Sequence, residues 1–450
     1  MSLVVQLMNS LDHQLRLELQ ERQDADLRRS LRLVPPGAID LASNDYLGLA
    51  RHPDVIEAAC RATREFGAGA RSSRLVSGHS TLHESLEAEL ADFKGCESAL
   101  LFASGYAANL SVMSALARRG DIVLCDKRNH ASLIDGCRLA QSQGALVRYY
   151  GSMAKLRALL RHISTHVATS DSSVASSHDA RRVFVVSDAV YSMDGDLADV
   201  PLLRDLAREF GATILLDDAH GTGTLGQTGR GTLEHFSHHP SDESSNSTRE
   251  KNQSPREPAA PHMSTHVRGT LNAALGTSSA TMGIDGRVEN IIQIGTLSKA
   301  LGAQGGFVAG SRVLINWLVN AARPFVYTTA LAPPLCGAAR EALRIVKREP
   351  QRVARLQQNG RKLARALSEL SFDVPHRDAP ILPVVAGSAR RALDWSEQLA
   401  RCGVWCPSIR PPTVPQNASR LRITVSSALD DDDIARIAQA FQTLKSSARG

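Results

Sequence analysis

The chain is 450 residues long, with 52 basic against 46 acidic residues and a net charge of +6. That length gives ample chain for a large core, and 43% hydrophobic with 22% charged residues is ordinary for a soluble globular enzyme. The basic residues are interleaved with acidic ones and form no Lys/Arg block with aromatics, which argues against a nucleic-acid binder and for anionic small molecules. Cys60, Cys96, Cys125, Cys137, Cys336, Cys402 and Cys406 are scattered and include no CxxC pair, so neither a disulfide framework nor a zinc site is expected. No basic leader precedes an apolar run and no apolar run approaches about 18 residues, so a cytoplasmic, membrane-free protein is expected.

In chain order, Leu7, Leu11, Leu15 and Leu19 recur at helical spacing, and an amphipathic helix is expected within 5–34, in an N-terminal arm over 1–45. Ile39–Ala42 reads as a strand leading into the polar turn Asn44-Asp45-Tyr46-Leu47-Gly48. A loop of small residues at 67–78 precedes a helix whose Thr81 and Glu84 fit a capping box. Short apolar runs then alternate with helical patterns: Ala99–Ala103, Ile122–Cys125, Val183–Val186, Thr213–Leu216 and Ile291–Ile294. Such alternation predicts an α/β domain over 46–330, built on a mostly parallel sheet with flanking helices. Two segments break the rhythm, 169–182 and 235–268. Their Ser, His, Pro and charged residues cannot bury enough apolar area to offset ordering, so both are expected to be disordered insertions. A metal reading of His235, His238 and His239 lacks a scaffold, and no metal is expected. Beyond residue 331, helical patterns at 334–348, 351–370, 389–402 and 432–445 and strands at Ile381–Val385 and Leu421–Val425 predict a smaller α+β C-terminal domain.

Sheets of this kind bind ligands beyond the carboxyl ends of their strands. Ser104-Gly105-Tyr106-Ala107-Ala108-Asn109 stands at one such end, where small residues opening a helix offer backbone N–H groups to a phosphate. His130 follows the next strand, Asp188 and Ser192-Met193-Asp194-Gly195-Asp196 another, and Asp217-Asp218-Ala219-His220-Gly221 a fourth. Lys299, in Gly295-Thr296-Leu297-Ser298-Lys299, follows the fifth. A lysine among small residues at a strand end is costly to bury charged, and a neutral amine can condense with an aldehyde. From its own stretch a surface loop lysine would read the same way; five strand ends meeting at one crevice favour an active site. Arg410, beside Pro411 and Pro412, and Arg422 suit carboxylate binding or, alternatively, solvent.

Together these motifs resemble the pyridoxal-phosphate α-oxoamine synthases over about residues 25–445, the two insertions apart. The resemblance implies a fold-type I architecture with pyridoxal 5'-phosphate as cofactor. It implies Lys299 as the Schiff-base lysine, Asp217 as partner of the pyridine nitrogen, His220 on the ring oxygen and His130 stacked on the ring. It places Gly105, Tyr106 and Thr296 on the phosphate and Ser192 near the ring oxygen. Asn44 and Arg422 are implied as carboxylate ligands, with Arg28, Arg410 and Thr413 also on the substrate side. Thr328 and Thr329 would reach the phosphate of a neighbouring subunit, which implies a homodimer with shared sites. The loop Ile409-Arg410-Pro411-Pro412-Thr413-Val414-Pro415 is similar to that of members condensing L-alanine with a pimeloyl thioester, carried on coenzyme A or an acyl carrier protein, in biotin synthesis. Glycine acetyltransferases and aminolevulinate synthases, the alternative activities, tend to carry Tyr-Pro there. The family usually has Gly-Thr after this loop, where this chain has Asn417-Ala418; asparagine tolerates a left-handed backbone and can serve the same turn.

Overall fold

A computed structural model describes residues 11–168, 181–237, 281–282, 288–375 and 377–447. The chain divides into two compact units, one made of Pro53–Ala189 and Ala198–Arg348, the other of Met1–His52, Val190–Leu197 and Glu349–Gly450.

The larger unit is built on a seven-stranded sheet in the order Ser98–Phe102, Gly306–Gly310, Ile291–Thr296, Thr213–Asp217, Val183–Asp188, Ile122–Asp126 and Leu146–Tyr150. All neighbouring pairs are parallel except those of Gly306–Gly310, which runs antiparallel to both its neighbours. The five expected strands are present, each ending one or two residues from its expected limit. Two strands escaped the apolar-run criterion. Leu146-Val147-Arg148-Tyr149-Tyr150 is an edge strand that exposes every residue but Val147 and Tyr150, and three of the five residues of Gly306–Gly310 are glycine or alanine. Central strands read as continuous apolar runs because helices cover both faces. Leu100, Val123, Val186, Leu215, Ile294 and Val308 pack with Val112, Met113, Leu133 and Leu318 from helices Gly105–Leu116, Ala131–Ser142 and Arg312–Ala321. Each such side chain contributes about 1.5–3 kcal/mol through its burial.

Helix Thr81–Lys94 starts one residue earlier in its cap than the capping box implied. Ser80, not Thr81, occupies the N-cap, and its hydroxyl bonds His83 Nδ1 at 2.8 Å rather than a backbone amide. The boundary expected at 331 lies at Glu349. Helix Pro333–Arg348 lies along Pro53–Phe66, so closely that a Cβ on Gly337 would stand 2.8 Å from the Ala58 carbonyl oxygen.

In the smaller unit, Ile381–Gly387, Ser419–Thr424 and Ser408–Ile409 form an antiparallel sheet. The N-terminal residues are no separate arm, since Ile39–Asp40 pairs in parallel with Val404–Trp405. The N-terminal helix spans Leu11–Asp24, shorter than the stretch expected, and none of its residues is buried. Asn417 adopts the left-handed conformation at φ 60°, as its place in the glycine-like turn requires. Of the two expected insertions, 169–180 and 238–268 lie outside the described residues. Their flanks do not. Arg182 binds Asp121 through its backbone N–H at 3.0 Å and through its guanidinium, and His235 belongs to helix Thr232–Ser237. His238 and His239 lie outside the described residues. Among the described residues no helix is long and apolar enough to cross a membrane.

Candidate active site

Within the larger unit, four of the strand ends that stood out in the sequence are joined by one hydrogen-bond network. Asp217, the last residue of its strand and 7% exposed, accepts the Ala219 N–H on Oδ1 at 2.9 Å and the Asn109 amide on Oδ2 at 2.7 Å. Asn109 stands four residues into helix Gly105–Leu116, one turn from Gly105, and is 2% exposed. Its Nδ2 also donates to Ser132 Oγ at 2.8 Å, and that hydroxyl lies 2.7 Å from His130 Nδ1. His130 is the N-cap of helix Ala131–Ser142, and its Nδ1 also accepts the Ser132 N–H at 3.3 Å. The Tyr106 ring meets the His130 ring edge-on at 6.3 Å, while its hydroxyl donates to Asp135.

Asp188 closes the group from the neighbouring strand, in register with Asp217. Its Oδ2 accepts the His130 N–H at 2.8 Å, and its own N–H donates to Asn129 Oδ1 at 2.8 Å. Burial pushes the Asp188 carboxyl well above the usual carboxylate range, and the charge of Asp217 pushes it further. The surrounding strand ends lower the pKa of His130 by desolvation; Asp217 opposes this and Lys299 adds to it, although the residue keeps an exposed edge. Lys299 is half-buried and its charge is felt by both His130 and Asp188. His220 is buried, 8% exposed, and its carbonyl accepts the Thr224 hydroxyl at 2.5 Å.

The phosphate end is shaped by close backbone approach. A Cβ on Gly306 would fall 2.5 Å from the Gly105 nitrogen, and one on Gly105 would stand 3.4 Å from Thr296 Cβ. The first amides of a helix have no intrahelical acceptor, so those of Gly105 and Tyr106 are available to an anion. Thr296 ends the neighbouring strand. Its hydroxyl, 5% exposed, donates to Gly305 O at 2.9 Å and lies 2.7 Å from Ser298 Oγ. Ser298 is exposed, so its hydroxyl is the freer of the two. Thr328 and Thr329 are exposed, and Thr329 forms a β-bridge with Ser73.

The smaller unit has its own arginine cluster. Arg422, 5% exposed, donates through Nε to Ser192 O at 2.6 Å, through Nη1 to Thr424 Oγ1 at 2.9 Å, and through Nη1 and Nη2 to Asn44 Oδ1 at 3.2 Å each. Tyr46 also donates to Asn44 Oδ1, at 3.2 Å. Asn44, Ser192 and Arg422 are thus brought together. Arg410 is spent differently: it donates to the Asp26 and Arg28 carbonyls, and Arg29 donates to Thr413 Oγ1 at 2.9 Å. These bonds tie the proline loop to residues 26–29, while the Arg28 side chain stays exposed. Asn109, Ser132, Asp188 and Ser298 went unassigned in the sequence. The available signal was helical spacing from Gly105 for Asn109, and the hydroxyl beside the lysine for Ser298.

The donor set fits a phosphorylated pyridine aldehyde. It combines an amine, a doubly hydrogen-bonded carboxylate, two imidazoles and a helix start that tolerates no Cβ beside it. The family profile "Aminotransferase class I and II" matches residues 36–441. The 8-amino-7-oxononanoate synthase of Methylococcus capsulatus is 41% identical over 422 residues, covering 93% of each chain. Two serine palmitoyltransferase structures, one from Sphingomonas wittichii and one carrying a pyridoxal-phosphate internal aldimine, are each 25% identical. Each superposes with a TM-score of 0.77 over 98% of this chain and 99% of theirs. The chain belongs to the aminotransferase class I and II family and, within it, to the pyridoxal-phosphate α-oxoamine synthases.

Proposed function

We propose that the protein is an 8-amino-7-oxononanoate synthase, joining L-alanine to a pimeloyl thioester with loss of carbon dioxide and release of the free thiol. The observation that carries this reading is the grouping of Lys299, Asp217 and His130 at the carboxyl ends of strands of one sheet, in a chain 41% identical to an enzyme of that name. Pyridoxal phosphate, when bound, supplies an electron sink conjugated to the amino-acid Cα.

The residues then divide the work. Lys299 Nζ would hold the cofactor aldehyde, and as a free amine it is the group suited to take the proton from the amino-acid Cα. Asp217, oriented by its two donors, would pair with the pyridine nitrogen. His220 would serve the ring oxygen and His130 the ring face. The amides of Gly105 and Tyr106, with the hydroxyls of Thr296 and Ser298, would hold the phosphate. Arg422 and Asn44 serve the amino-acid carboxylate. Four of the five guanidinium N–H groups of Arg422 are engaged, so a carboxylate would use the remaining Nη2 proton and compete with Asn44 Oδ1. Arg28, Arg410 and Thr413 shape the acyl-side loop. Thr328 and Thr329, exposed in one chain, are suited to reach the phosphate of a second copy in a homodimer. The acyl carrier is coenzyme A or an acyl carrier protein.

The test is a matrix of kcat/KM values: alanine, glycine and serine against acetyl, succinyl, pimeloyl and palmitoyl thioesters. The alanine–pimeloyl pair is expected to lead. One methyl group discriminates by only about 1–3 kcal/mol, so the amino-acid preference over glycine should be modest, about 10–200-fold. A lead for glycine with acetyl, or serine with palmitoyl, assigns a sister activity.

A further inference from the structure

We infer that Asn109 is a positioning residue which, through Ser132, couples the Asp217 carboxylate to His130 and fixes His130 as the neutral tautomer protonated on Nε2. The inference deepens the reading above, since it assigns a role toward the pyridine-binding carboxylate and the ring-facing imidazole.

The argument is one of proton counting. Asn109 lies 2.7 Å from Asp217 Oδ2, and only the nitrogen end of an amide can face an ionised carboxylate at that distance. That orientation spends one amide proton on Asp217 and the other on Ser132 Oγ, at 2.8 Å. Ser132, 1% exposed, therefore receives a hydrogen bond and has one proton of its own to give. The atom 2.7 Å away on its other side is His130 Nδ1. The Ser132 backbone N–H also points at Nδ1, at 3.3 Å. With two donors directed at it, Nδ1 must be the lone-pair nitrogen, and a neutral ring then carries its proton on Nε2. A relay results in which every proton has one direction: amide to carboxylate, amide to hydroxyl, hydroxyl to imidazole.

A second observation separates this role from simple packing. Asn109 Oδ1 is buried and has no hydrogen-bond partner among the described residues. A buried amide placed for stability alone would satisfy its carbonyl as well as its amino group. Here the carbonyl is left unpaired while both amino protons are spent on the two groups flanking the ring site.

The test is long-range ¹H–¹⁵N NMR on the full-length chain labelled with ¹⁵N-histidine, recorded with and without saturating pyridoxal phosphate near pH 7.5. His130→Gln serves only to assign the resonance. The expected wild-type result, in both states, is a lone-pair shift at Nδ1 and a protonated shift at Nε2. Asn109→Ala and Ser132→Ala are each expected to move the His130 shifts toward the tautomer average. A wild-type ring protonated on Nδ1, or unchanged shifts in the folded variants, overturns the inference. Should Asn109→Ala fail to fold, Ser132→Ala, which leaves Asp217 and its donors in place, tests the same relay. The spectrum without cofactor reports the tautomer even if the substrate matrix assigns another activity, so the two readings fail separately.

Discussion

Asp217 and Asp218 are neighbours in sequence and lead opposite structural lives. Alternation at the strand end points their side chains apart. Asp218, with only 2% of its side chain exposed, is paired with the Lys94 ammonium at 2.8 Å; the Thr232 hydroxyl donates to it as well, and Lys94 also donates to Arg230 O. Gly231 allows that crowding, since a Cβ there would collide with Asp218 Oδ2. Asp217 is nearly as buried, but its hydrogen bonds among the described residues come from the neutral donors Asn109 and Ala219. One carboxylate is fully compensated within the protein and locks the loop 221–232. The other keeps its charge available for a ligand cation. Burial alone does not mark a functional acid; what the acid is paired with does.

The sharpest break of the comparison is at the amine facing the Asp217 side. Lys299→Ala is expected to abolish turnover while leaving the circular dichroism spectrum unchanged. Near wild-type turnover would remove Lys299 from the chemistry.

On the Asp218 side the expected loss is stability. Lys94→Ala leaves a buried carboxylate without its cation, which costs about 3–5 kcal/mol, read as a fall in the denaturation midpoint. Asp217→Asn, by contrast, removes one charge that no cation offsets and disturbs one donor contact, about 1–3 kcal/mol, while lowering cofactor affinity and activity. If the two variants lose stability equally and Asp217→Asn keeps its activity, the division between the aspartates is wrong.

How far the sequence carried this contrast depends on range. Strand ends were legible because central strands are continuous apolar runs and their polar successors stand out. That gave Gly105, His130, Asp217, His220 and Lys299 their places. The partner of each polar group was not legible, because Asp218 finds Lys94 across 124 residues and Asp217 finds Asn109 across 108. Arg410 shows the same limit. Its guanidinium donates to backbone carbonyls 382 and 384 residues away, which no local pattern announces. The edge strand Leu146–Tyr150 was missed because only two of its five residues, Val147 and Tyr150, are buried and no apolar run results.

A smaller effect concerns Asp188, the third carboxylate. Its folded pKa is raised, so the folded state binds its proton more tightly than the unfolded chain does. The stabilising contribution is therefore complete below the unfolded pKa near 3.8 and is lost as pH rises through the folded value. Asp188→Asn keeps an acceptor for the His130 N–H and removes this loss. The variant is expected to be at least as stable as wild type at pH 8 and to show a flatter stability profile from pH 5 to 8 in urea titrations. A variant that is less stable at pH 8 than at pH 5, to the same degree as wild type, would contradict the assignment.

The smallest expected effect lies outside both aspartate neighbourhoods. Residues 238–264 are rich in Ser, His, Pro and charge, so replacing them by a short Gly/Ser linker should leave the thermal midpoint nearly unchanged, with an unfolding free energy within about 1 kcal/mol of wild type, and kcat unchanged. A large loss of either would assign the segment a structural role.

That these strand ends hold an aldehyde cofactor on one lysine can be tested without any substrate, by borohydride reduction of the pyridoxal-phosphate-loaded chain followed by peptide mass mapping. The expected product is a single phosphopyridoxyl adduct, on Lys299, absent from Lys299→Ala. An adduct on a different lysine, or none at all under saturating cofactor, would show that the cofactor is not held where the five strand ends meet.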